Sequence, residues 1–403
     1  MKEEIKSKLE GNISKIYLIA VLSGFTFFYN EIVTLYYRNF ELSFTQISFL
    51  LVIVMATILL FEVPTGAFAD LYGRRLSILL GSIFMTIGLV IIAFSSVFSL
   101  FVVAAIIIGI SSAFFSGSWS ALVYDTLKEL KREKEYLKIL SRIEIAFLFV
   151  GIISAYFGPY LFSFNVRWPY YISSIAAIIW IFAIFSLYEP PLEYSKKINI
   201  KDHYIQMKDG LIFVTNHSKL IWLIFFSAIM AIIAITVGEL IMGPFIISIG
   251  FSLKEFALIA LVSNIIQTVF VFFIDKIENK IGEKKSFLLV IIGIFFILIL
   301  MTFTRNYFIS VVFGLFWAIM SFRELILEKY INHHLEKENR ATVLSIHSMS
   351  LALLGLIMAP FLGYIIDLTS LSYSVVFLAI LVGVIGSILI FFRYSGRVWK
   401  NLT

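Results

Sequence analysis

The sequence predicts an all-α polytopic membrane protein, with twelve transmembrane helices arranged as two pseudo-symmetric six-helix bundles. Of its 403 residues, 60% are hydrophobic and only 14% charged, against about 45–50% and 25% in soluble domains. The mean hydropathy is +0.98, and so few charges cannot cover a water-facing surface of this size. The apolar stretches are long and unbroken. They suit helices of about 20 residues crossing a bilayer, not the short alternating strands of an outer-membrane barrel. At that length the apolar stock furnishes roughly twelve spans.

Apolar stretches bounded by charges or turn residues lie at 16–38, 44–69, 76–95, 98–127, 139–163 and 166–188, then at 219–247, 253–275, 286–303, 306–332, 341–367 and 371–393. Each can cross a membrane with some tilt. They define an N-terminal bundle over 1–188, a cytoplasmic linker over 189–218 and a C-terminal bundle over 219–403. Met1–Lys15 is mixed in charge and shows no small-residue cleavage pattern, so it reads as a cytoplasmic tail. With the N-terminus inside, cytoplasmic connections hold 28 Lys and Arg, while external ones hold only Arg38, Arg167, Lys254 and Arg305. Such a bias fixes orientation by the positive-inside rule. It places both termini in the cytoplasm, puts the chain in the cell membrane, and explains the net charge of +6 without a nucleic-acid partner. The linker opens Glu189-Pro190-Pro191. The spacing of Ile198, Ile200, Ile205, Leu211 and Ile212 allows an amphipathic surface helix or a solvated tether.

Several chemistries are excluded. The chain has no cysteine, hence no disulfide, thiolate metal site or cysteine nucleophile. No G-x-x-x-x-G-K-[ST] loop is present, which removes ATP-driven pumping within the chain. No metal-ligand spacing occurs, and no polar segment is long enough for a catalytic domain. Neither an enzyme activity nor a cofactor is expected.

The two halves resemble each other. Span 2 ends in Asp70, Gly73, Arg74 and Arg75; span 8 ends in Asp275, followed by Lys280, Gly282, Lys284 and Lys285. Asp70 and Asp275 are 205 residues apart, and Ser141, Gly151 and Ala155 match Ser345, Gly355 and Ala359 at 204. Parallel repeats of this kind place a substrate cavity between the halves.

The run Glu62-Val63-Pro64-Thr65-Gly66-Ala67-Phe68-Ala69-Asp70-Leu71-Tyr72-Gly73-Arg74-Arg75 resembles the signature loop between helices 2 and 3 of the major facilitator superfamily. With twelve spans, a central loop and a degenerate second copy, the resemblance covers essentially the whole chain and implies the major facilitator fold. Ser116-Gly117-Ser118, Ala121-Leu122-Val123-Tyr124-Asp125 and Arg340-Ala341-Thr342-Val343-Leu344-Ser345 resemble a bacterial and archaeal branch labelled multidrug or tetracycline-type efflux. In this family the signature aspartate, here Asp70, faces the N-terminus of helix 11, where the helix dipole favours an anion. Helix 11 begins here near Asn339-Arg340-Ala341. The resemblance therefore implies a cytoplasmic gate latch involving Asp70, Gly73 and Arg74, with Asp125 as counter-charge and Arg75 serving topology. Lys280 or Lys284 with Glu328 is the corresponding expectation in the second copy.

Acids within the hydrocarbon are costly and therefore functional or paired. Glu31 follows Asn30 in span 1, Glu239 lies in span 7, and no Lys or Arg is expected in the middle of any span. Helices 1 and 7 line the central cavity in the family. A carboxyl desolvated among apolar side chains exchanges its proton nearer neutrality than one in water. This makes Glu31 and Glu239 candidates for proton coupling; the competing reading is a hydrated position near the outer mouth. Asn264 and Gln267 share a helix face and either meet substrate or join helices. Trp119 and Tyr124 in span 4 are further candidates, whereas His347 reads as a packing residue and His333-His334 as a solvated pair. An aromatic content of 17% gives a greasy cavity with sparse polar anchors, suited to amphiphilic compounds. Gly151 with Gly158-Pro159 partly matches the exporters' glycine–proline motif. Phe162-Ser163 replaces its small pair, span 4 lacks the arginine of many proton antiporters, and Glu144 does not stand in for it.

The expected function is secondary transport of small amphiphilic organic compounds by alternating access, as proton-coupled export. The expected partners are the substrate, protons and the lipid bilayer, and the expected state is a monomer. An uptake permease for a small organic solute and a non-transporting receptor of the same fold are the alternatives.

Overall fold

The computed structural model describes residues 2–191, 212–334 and 337–394, and every regular element among them is helical. Among the described residues, twelve helices are long and apolar enough to cross a membrane. Spans 1–6 are Glu3–Asn39, Phe44–Tyr72, Arg74–Phe94, Phe98–Glu129, Glu133–Phe162 and Trp168–Phe185. Spans 7–12 are Ser218–Ser248, Leu253–Val271, Lys285–Phe303, Ile309–Leu327, Ile346–Leu368 and Leu371–Phe392. The linker positions Ile198, Ile200, Ile205 and Leu211 lie outside the described residues. So do the side chains of Lys284, Glu328, His333, His334, Ser345 and residues 339–342.

The chain forms two compact units, Met1–Leu42 with Phe49–Ile198 and Ser43–Ser48 with Asn199–Thr403. In the first, Ile19, Ile78, Leu122, Ile143, Trp180 and Ile184 belong to one buried cluster drawn from spans 1, 3, 4, 5 and 6. Small residues bring the helices together, as expected where lipid supplies no hydrophobic driving force. Ser77 Oγ donates to the Phe114 carbonyl at 2.9 Å, Thr65 Oγ1 to Ala113 O at 2.9 Å, and Ser111 Oγ to Gly81 O at 2.7 Å. The second unit is built around span 7, whose apolar window is 83% buried, against 39% for span 1. Trp222 Nε1 donates to Leu389 O at 2.8 Å, and Ser263 Oγ to Ser310 O at 2.9 Å.

The internal repeat extends into the helix starts. Asn12-Ile13-Ser14-Lys15 and Asn216-His217-Ser218-Lys219 stand 204 residues apart at the heads of spans 1 and 7. Also within the second unit, the Asp367 carboxylate accepts the backbone N–H groups of Phe44 and Thr45 at 2.9 and 2.8 Å, and the Thr45 hydroxyl at 2.7 Å. An anion at a helix N-terminus satisfies orphan donors and the dipole together.

Among the described residues, spans 1, 4 and 7 are interrupted partway along, which the apolar pattern does not reveal. Span 1 changes to 3₁₀ turns at Phe25–Phe27 and Asn30–Ile32 before resuming at Val33. Span 4 breaks at Ser116-Gly117, where Gly117 adopts φ 74°. Span 7 passes through a π-turn at Thr236–Ile241. Span 5 supports the first interruption. Ser154 Oγ donates to Gly24 O at 3.2 Å, and Gly158 lies so near Phe28 that a Cβ there would sit 2.1 Å from its carbonyl oxygen.

Candidate functional site

The signature loop is built around one backbone conformation. Gly73 has φ 110° and ψ 151°, a region closed to side chains on steric grounds, and it reverses the chain from span 2 into span 3. Asp70 forms an ion pair with Arg74 one turn on, and Arg74 Nε lies 3.8 Å from Asp125 Oδ2. Arg74 thus sits between two acids from spans 2 and 4. Gly66 is helical, and a Cβ there would meet nothing within 4 Å. The loop's fifth charged member is one that sequence reading misses. Glu189 accepts the backbone N–H groups of Arg74 and Arg75, each at 2.8 Å, and caps span 3. Its signal was an acid fixed in front of Pro190-Pro191 beside a basic loop, which reads equally well as the start of a linker. Arg75 is also more than a topological charge: Nη2 donates to Phe185 O at 2.5 Å and the guanidinium lies 5.1 Å from that residue's ring centre.

Burial pushes the Glu189 carboxyl above the ordinary carboxylate range, outweighing the two amide hydrogen bonds and the adjacent arginines. A raised folded-state pKa makes stability largest at acid pH, and that contribution is lost as pH rises through the folded value. Lowering the pH from neutrality towards about 4.3, the ordinary glutamate value, should therefore raise the melting temperature of the wild type relative to Glu189→Gln. Melting curves of the two purified proteins check this; a difference independent of pH would contradict it.

In the second copy, Glu278, 6% exposed, accepts from Lys329 Nζ and the Tyr330 hydroxyl. Burial alone would raise this carboxyl, but those two bonds hold it below the usual range. Lys329 stands 204 residues after Asp125, and Glu278 just precedes Gly282 with its φ of 73°. The second loop thus keeps the acid–base pairing with the helix 10 charge reversed. Its described members are Glu278 and Lys329; of the expected pairing of Lys280 or Lys284 with Glu328, the side chains of Lys284 and Glu328 lie outside the described residues.

Glu31 falls in the 3₁₀ turn Asn30–Ile32, half-buried beside an exposed Asn30, and Glu239 lies half-buried in the π-turn. Both acids occupy interrupted helix. Irregular turns leave backbone groups outside the regular ladder, and π-bulges concentrate at functional positions.

The remaining candidates separate. Asn264 Nδ2 donates to Ala260 O at 3.0 Å, and Gln267 Nε2 to Ser321 Oγ at 3.0 Å, so Gln267 joins spans 8 and 10. Tyr124 is 43% exposed and meets Tyr136 edge-on at 5.5 Å. Trp119, in contrast, lines a cavity of about 490 Å³ inside the first unit, with Ser23, Phe115, Glu144, Phe147 and Trp180 among its other walls.

Arg323 requires a correction. The sequence reading counts it in a cytoplasmic connection. The structure places it in span 10, 7% exposed. Its Nη1 donates to Ser227 O at 2.8 Å and to Ser227 Oγ at 3.1 Å, while His347 Nε2 lies 2.9 Å from the same hydroxyl. Hydrogen bonds to a backbone carbonyl offset part of the cost of burying the guanidinium. His347 is therefore a satisfied residue within this cluster.

Twelve apolar helices, a charge-locked reversing loop repeated in both halves and acids seated on interrupted turns define a multi-pass membrane carrier. The chain belongs to the Major Facilitator Superfamily, whose family model matches residues 16–323 and, in a second match, 224–401. It is similar to an uncharacterized MFS-type transporter, YxaM, of Bacillus subtilis (strain 168), 25% identical over 280 residues covering 68% of this chain and 69% of that protein. It is also similar to multidrug resistance protein 2 of the same organism, 27% identical over 236 residues and 56% of each chain. The fold matches the crystal structure of nucleoside transporter NupG with a TM-score of 0.74 at 12% identity, covering 96% of this chain and 99% of that one. The protein is a transporter of this superfamily and not an enzyme.

Proposed function

We propose that this transporter exports small amphiphilic organic compounds across the cytoplasmic membrane by alternating access, in exchange for protons. Both termini are cytoplasmic, and a single chain is the working unit. The observation that carries the reading is the seating of Glu31 and Glu239 on the 3₁₀ and π interruptions of spans 1 and 7. Carboxyls on irregular turns within an apolar span can trade a proton for a substrate contact, as an antiporter requires. Two further observations favour export, the Gly158-Pro159 pair on span 5 and the multidrug relative, while the 28 to 4 split of basic residues supports the cytoplasmic termini.

The test is transport in proteoliposomes under an imposed pH gradient, with cationic, neutral and anionic dyes. The wild type should move at least one dye against the proton flux, and Glu31→Gln should lose gradient-driven movement while retaining counterflow. A wild type that responds to no gradient, or a Glu31→Gln variant that responds as fully, would remove proton exchange.

A further inference from the structure

The cavity of the first unit has a chemistry that the proton-coupling reading does not use. It is walled by spans 1, 3, 4, 5 and 6 and measures about 490 Å³, within the roughly 300–1,000 Å³ typical of small-molecule sites. Five aromatic rings face it, from Phe27, Phe115, Trp119, Phe147 and Trp180. Phe115 and Trp180 stack at 4.8 Å, and Phe27 meets Phe147 edge-on at 5.9 Å, so the rings form a supported wall. Among the lining residues Glu144 is the single ionisable one. Its side chain is exposed to the cavity, and no hydrogen bond or ion pair ties it to a described residue.

Other ligands fit this wall poorly. The lining holds no Lys, Arg or His, so an anion would meet an uncompensated carboxylate. A sugar would need many hydrogen-bonding partners, yet besides Glu144 and the Trp119 and Trp180 indole N–H groups the lining offers only the hydroxyls of Ser23, Ser112 and Ser116, of which Ser23 already donates to Ala20 O at 2.8 Å and Ser116 to Glu62 at 3.4 Å. A lone carboxylate among ring faces favours a cation on two counts, by charge and by the ring quadrupoles.

The second copy sharpens the argument. The residues 204 positions after Ser23, Trp119 and Ile143 are Ser227, Arg323 and His347. These three are the ones hydrogen-bonded together in the second unit. At the position that Trp119 holds in the first copy, the second copy carries the guanidinium of Arg323, bonded to Ser227.

We infer that this cavity binds a lipophilic organic monocation, with Glu144 as its counter-charge and the faces of Trp119, Trp180 and Phe115 holding its aromatic or alkyl body. The inference rests on the transport reading above only in treating that cation as cargo. The site itself is a separate claim, and the experiment addresses it without any gradient.

Equilibrium binding of tetraphenylphosphonium to the purified full chain in lipid nanodiscs tests it, with tetraphenylborate as a probe of similar shape and opposite charge. The phosphonium should bind and quench tryptophan fluorescence, with the borate at least about tenfold weaker. Glu144→Gln should weaken phosphonium binding by about tenfold or more at an unchanged melting temperature, while Glu144→Asp keeps most of it. Trp119→Phe should remove part of the quenching. Three results would each overturn the site: no phosphonium binding by the wild type, equal binding of the borate, or wild-type affinity in a folded Glu144→Gln variant. Charge-selective binding that depends on Glu144, found together with no gradient-driven transport, would sustain the site while removing the export reading.

Discussion

Replacing Gly158 with alanine is expected to cost about 3 kcal/mol or more, at or beyond the upper end of ordinary overpacking. A Cβ at this position would lie 2.1 Å from the Phe28 carbonyl oxygen. That atom is backbone at the interruption of span 1, so no rotamer change can move it aside. Relief requires either span 5 to withdraw or the 3₁₀ segment to shift, and the neighbouring contacts resist both: Val150 packs against Gly24, and Ser154 holds the Gly24 carbonyl. The variant should show a large drop in melting temperature and lose transport. Gly151→Ala is the control on the same helix. A Cβ there meets nothing within 4 Å, and alanine gains up to about 1 kcal/mol in helix propensity. Equal melting of Gly158→Ala and wild type would show that the two backbones do not approach so closely. The prediction also gives a physical content to the glycine–proline motif in this chain: it provides the seat on which the broken first span rests, just ahead of Asn30 and Glu31.

The contrast between what could and could not be read from the sequence follows from the range of the forces involved. Twelve helices are legible because burial in lipid acts on every residue of a span, so hydropathy averages over many positions. The reversing loop is legible because Gly73 is sterically required and its charges are adjacent in sequence. Glu189 is not, because it meets Arg74 and Arg75 across 115 and 114 residues. The same holds for Arg323, whose partner Ser227 is 96 residues away. A local count of charges could only place that arginine at a helix end. The interruptions at Glu31 and Glu239 escape for another reason: 3₁₀ and π turns retain apolar composition and differ from the α-helix by one residue of hydrogen-bond register. Glu144 was visible as an acid opening span 5. Only the convergence of rings from three other spans and the absence of a basic neighbour in the lining give it a chemical task.

Gly73→Ala is expected to be the most damaging single change in the signature loop, more so than Arg75→Ala or Gly66→Ala. Two separate costs coincide. The backbone at φ 110° and ψ 151° belongs to a region that is nearly glycine-only, worth about 1–3 kcal/mol of strain for any other residue. The added Cβ would also stand 2.8 Å from Cδ of Glu189, displacing the carboxylate that caps span 3; losing such a cap costs about 0.5–2 kcal/mol. These costs can be separated, since Glu189→Ala removes the clash and the cap together but leaves the strain. In a double-mutant cycle on melting temperature, Glu189→Ala should therefore cost less in the Gly73→Ala background than in the wild type. The expected coupling is about 0.5–3 kcal/mol, as for residues in contact. Strict additivity would mean that Glu189 is not the group met by the new methyl. A neutral Gly73→Ala would mean that the reversal does not depend on the left-handed conformation. If the coupling appears, the chain from sequence to function is specific at this point: one glycine permits the reversal, the reversal aims two backbone amides at Glu189, and that cap fixes the helix from which Arg74 reaches Asp70 and Asp125.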